Sequence, residues 1–399
     1  MGKQGKRKEG KMWERFHLAL MPNATLPYTH FVKQAHVKVP IPSPKKDEIL
    51  LKLEATSINP VDWKFQKGVA RPFLPPKFPF IPYDKFSLLL FAQGLLGDLI
   101  KIMNFCVDIF CYALPIAESR IAFYNTNSLV FDSYHLYLTR GVDVAGEVIE
   151  VGPGVSSFKA GDKVAAMLNF PNGDGLAEFA VASVALTVSR PSEVSAAEGA
   201  SLPTAAATAL QALKAGGIKF DGTNKPSNVL ITAASGGVGH YAVQLAKLAN
   251  LHVTATCGAR NIELVKSLGA DEVLDYKTPD GASLKSPSGR KYDSVIHCTT
   301  GIGWSTFEPN LTTNGKVIDI TPSFKGMVTT VLNKVTFSKK QLVPFLISPK
   351  GEDLKFLVDL AKEGKLKTVV DSRHPLSKAE EAWAKSMDGH ATGKIIVEM

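Results

Sequence analysis

Three groups of residues in this sequence have the types and spacing to do chemistry. The first is Ala234-Ser235-Gly236-Gly237-Val238-Gly239, set between the apolar run 229–232 (VLIT) and a helical apolar pattern at Tyr241, Val243, Leu245, Ala246 and Leu248. Strand, glycine turn and helix in that order point backbone N–H groups and the positive end of a helix dipole at one spot, where a pyrophosphate binds. Ala234 takes the first place of the G-x-G-x-x-G fingerprint, while Gly236 and Gly239 keep the second and third. The second glycine lets phosphates approach the backbone, and the third lets the helix pack close to the strand. The second group is Asn59, Asp62 and Lys64, directly after the alternating run 48–58. A carboxamide, a carboxylate and an ammonium there can orient a carbonyl or hold charge that develops on it. The third group stands at the ends of later apolar runs: Cys257, Tyr276, Cys298-Thr299 and Ile320-Thr321.

A site for NAD usually places an acid about 20 residues past the glycines, on the ribose 2′-hydroxyl. Residues 256–258 contain none, and Arg260 lies just beyond. A carboxylate repels a 2′-phosphate, whereas a guanidinium binds one through paired charge-assisted hydrogen bonds. The sequence therefore predicts NADPH rather than NADH. Ser235, Gly236, Gly237, Val238 and Gly239 would meet the pyrophosphate, and Cys257, Arg260, Asn261 and Tyr276 the adenosine phosphate. Cys298, Thr299, Ile320 and Thr321 would line the nicotinamide, with Thr208 at its amide. Plainer roles stay open for several of these: a solvated helix-start arginine, ordinary loop residues, a packing threonine, a surface lysine at 64. His297, ending a buried run, reads as structural rather than as an acid or base.

These residues need elements to hold them. Apolar runs at 251–256, 272–276, 292–297 and 315–320 alternate with helical segments such as 262–268. That alternation predicts a doubly wound parallel sheet, which binds ligands outside the carboxyl ends of its strands. The region 36–182 differs, with short strand-like runs at 48–58, 143–151, 158–164 and 175–181 punctuated by Gly/Pro turns. It predicts a small β-barrel-type domain. A last strand, 393–398, returns to that domain after a helix at 378–387. The fold class is thus α/β, a barrel-type domain plus a Rossmann sheet.

At 399 residues, 45% apolar and 21% charged, the chain has the composition of a globular protein of about two domains. Part of its net charge of +9 sits in the opening MGKQGKRKEGK, which reads as a disordered arm. No basic-aromatic strip of the nucleic-acid-binding kind is present, while contact with an anionic membrane surface stays open. The four cysteines, Cys106, Cys111, Cys257 and Cys298, lack paired metal spacing, which points to a reducing compartment and away from structural zinc. The N-terminus has neither a signal-peptide core nor the composition of a transit peptide.

Seven ordered landmarks then carry a resemblance. They are Asn59-Pro60-Val61-Asp62, Asp143-Val144-Ala145-Gly146-Glu147-Val148, Gly161-Asp162-Lys163-Val164, Leu202-Pro203 with Thr208-Ala209, Ala234 to Gly239, Leu268-Gly269-Ala270-Asp271, and Gly389-His390 with Gly393-Lys394. On these the chain resembles the zinc-free quinone-reductase branch of the medium-chain dehydrogenase/reductase superfamily. The stretches SINPVDWKFQKG, CGARNIELVKSLGADEVLDYKTP and HPLSKAEEAWAKSMDGHATGKIIVE are similar to its plant chloroplast-envelope quinone-oxidoreductase homologues, also described as alkenal or oxoene reductases. The resemblance implies a GroES-like catalytic domain over 35–187 with 366–399, and a Rossmann NADPH-binding domain over 188–365. It implies reduction of the C=C bond of α,β-unsaturated carbonyls without a metal. Asn59, Asp62 and Lys64 would be catalytic, Asn59 orienting the nicotinamide side or the substrate carbonyl and Lys64 meeting a cofactor phosphate or the developing enolate charge, and Gly393 and Lys394 would lie at the cofactor. A homodimer, peripheral at the plastid inner envelope, is implied too, with a cytoplasmic location as the alternative. Two other functions compete: a quinone reductase, and a cofactor-binding but inactive isoform.

The chain departs from this pattern twice. Relatives pass from FPxIP almost directly into DVAGEV, but here residues 83–142 intervene. This insertion is rich in Leu, Phe and Ile. Its apolar run, 87–117, is broken by Asp98, Lys101 and Asp108, whereas a membrane span needs about 20 largely uncharged residues. A membrane-surface hairpin is one reading; translated intronic sequence is the one preferred. Residues 1–34, the second departure, read as an arm rather than as an opening strand.

Overall fold

A computed structural model describes residues 16–22, 34–66, 141–169 and 175–399 of the protein. All of them belong to one unit, Met1–Lys67 with Leu138–Met399; most of the insertion, and its apolar run, lie outside the described residues. Within the expected N-terminal arm, β1 (Phe16–Pro22) pairs antiparallel with β2 (Gln34–Pro40). That part of the arm is therefore a strand. The basic opening segment lies outside the described residues.

The β-domain is built on β3 (Glu48–Ile58), β4 (Asp143–Val151), β5 (Lys163–Met167), β6 (Phe179–Ser183) and β7 (Thr187–Ser189). Alternation in these strands sends Ile49, Leu51, Leu53, Val144, Val148, Val164 and Ala166 into one core. A helix Pro60–Gln66 follows β3.

A second sheet carries β8 (Asn228–Ile231), β9 (His252–Cys257), β10 (Glu272–Asp275), β11 (Tyr292–His297), β12 (Leu311–Asp319) and β13 (Gln341–Pro344). Its order is β10-β9-β8-β11-β12-β13, every pair parallel. Helices cover both faces, so its strands read as continuous apolar runs such as Val295-Ile296 and Val317-Ile318. The helix Gly239–Leu248, buried from Gly239 to Ala246, packs on β8 and β9. β13 is an edge strand. The neighbouring helix Phe324–Val335 leaves Met327, Val328, Leu332 and Val335 exposed, as is Phe337 after it.

The chain then returns to the first sheet. β14 (Val370–Pro375) pairs with β15 (Lys394–Glu398), and β15 pairs antiparallel with β3, giving the order β14-β15-β3-β4-β5-β7. Between them the helix Ala379–Asp388 ends on Gly389 at φ 77°, the left-handed C-terminal stop that glycine adopts freely. A further long helical run, Ala196–Ala215, is interrupted by a π turn over Leu202–Ala206. Pro203 has no N–H to give the ladder, and Ala207 N–H reaches back to Leu202 O, one residue farther than in an α-helix.

Candidate functional site

The glycine turn leaves β8 and enters the helix Gly239–Leu248 as its sequence predicts, with one difference. The left-handed residue is Ala233, at φ 48°, immediately before the fingerprint's first position. The two later glycines have different reasons to be there. A Cβ on Gly239 would lie 2.3 Å from Ala233 O and 2.7 Å from Ala234 Cα, so the fold itself requires glycine. A Cβ on Gly236 would press on Ala233 O at 3.2 Å, a tight but milder contact, and would meet nothing else within 4 Å. Such a cradle fits a pyrophosphate.

Around this turn the expected adenosine-side residues gather. β9 ends at Cys257, whose thiol burial raises to about 11. Asn261 Nδ2 donates to Ser235 Oγ at 3.0 Å and to Thr392 Oγ1 at 3.1 Å. Arg260 donates to His390 O at 2.7 Å. Arg260, Asn261, Lys385, His390 and Thr392 line a hollow of about 520 Å³ together with Asp371 and Asp388. Tyr276 is exposed, its ring beside Gly258.

The nicotinamide-side loops are also brought together. Thr321 Oγ1 donates to Thr299 O at 2.5 Å, and Ile320 N donates to His297 O at 3.2 Å. Cys298 N donates to Thr232 Oγ1 at 2.9 Å; burial pushes its thiol up to about 12, so it is no nucleophile at neutral pH. His297 lies 3.0 Å from the same Thr232 hydroxyl and is held below its ordinary value by burial, which fits the structural role. Thr208 is buried on the helix Ala207–Ala215.

Asn59 and Asp62 turn out to be the start of a helix. Asn59 precedes Pro60, and Asp62 Oδ2 accepts from Asn59 N at 2.8 Å, one half of a capping box. The Asn59 side chain is only 3% exposed at the residue level and is engaged at both ends. Its Nδ2 donates to Asp143 Oδ2 at 2.9 Å, and its Oδ1 accepts from Lys394 Nζ at 2.5 Å. Asp143 also accepts from Thr204 N at 3.0 Å and Thr204 Oγ1 at 2.7 Å. Burial pushes the Asp143 carboxyl up and the Lys394 ammonium down, each drawn back toward its charged form by the other. Lys394 thus joins Asn59, and Gly393, its neighbour, donates from N to Ser235 O at 2.8 Å in the glycine turn. Lys64 stands farther along the same short helix, half-buried, its ammonium lowered by desolvation.

Asp143 and Thr204 were not among the expected site residues. Both had a signal: an acid heading the apolar strand DVAGEVIEV, and a threonine directly after a proline inside a helical run.

Comparison with known proteins follows this geometry. The family profile described as "Zinc-binding dehydrogenase" matches residues 268–397, and "Alcohol dehydrogenase GroES-like domain" matches residues 116–188. The chain is 60% identical over 364 residues to the chloroplast envelope quinone oxidoreductase homolog of Arabidopsis thaliana, covering 91% of this chain and 93% of that one. It is 55% identical, with the same coverage, to the chloroplastic quinone-oxidoreductase homolog of Spinacia oleracea. Among solved structures it is similar to the quinone oxidoreductase from Coxiella burnetii, with TM-score 0.71 and 26% identity over 96% of this chain and 100% of that one.

The first profile's description implies zinc, and the residues present do not fit it. Among the described residues no three His, Cys, Asp or Glu side chains converge as a ligand set. The buried donors Asn59, Asp62 and Asp143 instead face the Lys394 ammonium.

Proposed function

This chain belongs to the quinone-oxidoreductase homologues of the medium-chain dehydrogenase/reductase superfamily, and from that premise we propose that it is an NADPH-dependent reductase of the C=C bond of α,β-unsaturated carbonyls. The observation that carries the reading is a dinucleotide turn hydrogen-bonded, through Gly393, to a polar cluster that offers no metal ligand set among the described residues. Alcohol oxidation in this superfamily calls on a Lewis-acid metal; conjugate reduction needs only a placed hydride and a stabilised enolate.

NADPH, when bound, supplies hydride to the β-carbon. Ser235, Gly236, Gly237, Val238 and Gly239 hold its pyrophosphate. Arg260, with no acid at Cys257 to oppose it, takes the 2′-phosphate; Asn261 and Tyr276 flank it. The Cys298-Thr299 and Ile320-Thr321 loops and Thr208 frame the nicotinamide. Lys64 stabilises the charge that develops on the carbonyl oxygen. Asn59 and Asp62 set the helix that carries Lys64. The α-carbon receives its proton from water.

A second reading, quinone reduction, is favoured by the names of the relatives. We place the protein in the plastid, peripheral at the inner envelope, as a homodimer formed over edge strand β13 and the exposed apolar face of the helix Phe324–Val335. NADPH consumption with paired unsaturated and saturated aldehydes, in the presence of a chelator, tests the activity. Turnover confined to the unsaturated partner supports the proposal; turnover of quinones alone selects the second reading.

A further inference from the structure

Lys394 is 2% exposed and carries an ammonium into a place where three pieces of the chain meet. One is the helix start, where Asn59 Oδ1 accepts from Nζ at 2.5 Å and Asp62 is a nearby charge. The second is the π turn, whose Thr204 holds Asp143 by two bonds of 3.0 and 2.7 Å while Asp143 in turn holds Asn59. The third is the glycine turn. There Gly393 N donates to Ser235 O at 2.8 Å, and a Cβ on Gly237 would sit 3.6 Å from the aliphatic stem of Lys394. His240, in the first turn of the dinucleotide helix, is another neighbour of this charge; its Nδ1 bonds Gly236 O at 2.9 Å and its Nε2 is buried with no partner.

We propose that Lys394 is a positioning residue, a built-in cation that binds the Asn59 carboxamide, with the Asp143 and Asp62 carboxylates as nearby counter-charges, and so ties the Lys64 helix, the Thr204–Thr208 segment and the dinucleotide turn into one arrangement. This rests on the reductase reading above. A tethered ammonium has a physical advantage over an ion here. It cannot be chelated, and its strand is itself bonded to the cofactor's seat, so the hydride donor and the groups awaiting the substrate share one mount. Removing one partner leaves a buried charge uncompensated, whereas removing both does not.

The test uses the full chain with Lys394→Met, Asp143→Asn and the double variant, reading Tm, NADPH affinity, kcat and KM for an enone. Each single substitution is expected to lower kcat more than tenfold while KM moves less than threefold. The double variant should be no worse than the poorer single, in kcat and in Tm. Multiplying losses, or a single variant with wild-type kcat well below its Tm, would overturn the proposal. Should Lys394→Met not fold, Thr204→Val replaces it. That variant should lose several-fold in kcat and add nothing to Asp143→Asn; independent losses would again overturn it. Wild-type turnover with the enone checks the reductase reading separately, and the cycle in Tm and NADPH affinity stands without it.

Discussion

At the scale of single residues, the proposed NADPH preference rests on Arg260. Its guanidinium is exposed beside the end of β9, where a cysteine stands in place of an acid. Arg260→Ala is expected to weaken NADPH binding by the worth of a charge-assisted hydrogen bond, about 1.5–3 kcal/mol or roughly ten- to a hundredfold, and to spare NADH. Titration of both cofactors by quenching of protein fluorescence measures this; equal losses would assign Arg260 to the His390 carbonyl alone. His240 makes a pH prediction. Burial lowers its pKa from 6.5 to about 4, so the folded protein keeps it neutral while the unfolded chain protonates it. Stability from this residue is intact above pH 6.5 and drains as pH falls toward 4, by about 3 kcal/mol in all. His240→Asn keeps a donor for Gly236 O and should flatten that part of the profile in urea titrations at stepped pH. An unchanged slope would show that His240 titrates alike in the folded and the unfolded chain. The strand, glycine turn and helix of 228–248 are legible in the sequence because their spacing is fixed by a local turn. Asp143, Thr204 and the bond from Lys394 to Asn59 are hidden from the sequence because they meet only through distant parts of the chain.

Elements were read more fully than residues. β11 spans 292–297 as the sequence predicts, its β-branched pair Val295-Ile296 buried between Tyr292 and His297. β12 begins at Leu311, earlier than the expected 315, because polar Thr312, Thr313 and Asn314 precede its apolar core. The strand β1 inside residues 1–34 was missed; its partner lies across an unpatterned stretch of sequence. The glycine turn separates folding from binding. Gly239→Ala places a methyl 2.3 Å from Ala233 O, and should cost about 2 kcal/mol or more, seen as a fall in Tm. Gly236→Ala meets the same carbonyl at 3.2 Å, a milder squeeze, and should lower Tm less than Gly239→Ala does while NADPH affinity drops at least tenfold. The reverse pattern in differential scanning and binding would mean that Gly236 serves the fold and not a phosphate.

At the scale of the molecule, the insertion is the open structural proposition. We propose that residues 84–140 are extraneous to the catalytic unit. Gly141 belongs to that unit nonetheless: its carbonyl accepts from Gly175 N at 2.9 Å, and its φ is 119°. Deleting 84–140 and keeping Gly141 should give a more soluble protein with equal or higher turnover. Loss of folding or of NADPH-dependent activity on deletion would make the segment a working part.

The central claim is hydride delivery to a conjugated carbon without a metal. It is tested most directly by turning over an α,β-unsaturated ketone with NADPH doubly deuterated at C4, in the presence of a chelator, and locating the label by NMR. The account predicts a saturated ketone carrying one deuterium on its β-carbon. Deuterium on the carbonyl carbon of an allylic alcohol, or turnover that the chelator abolishes, would contradict it.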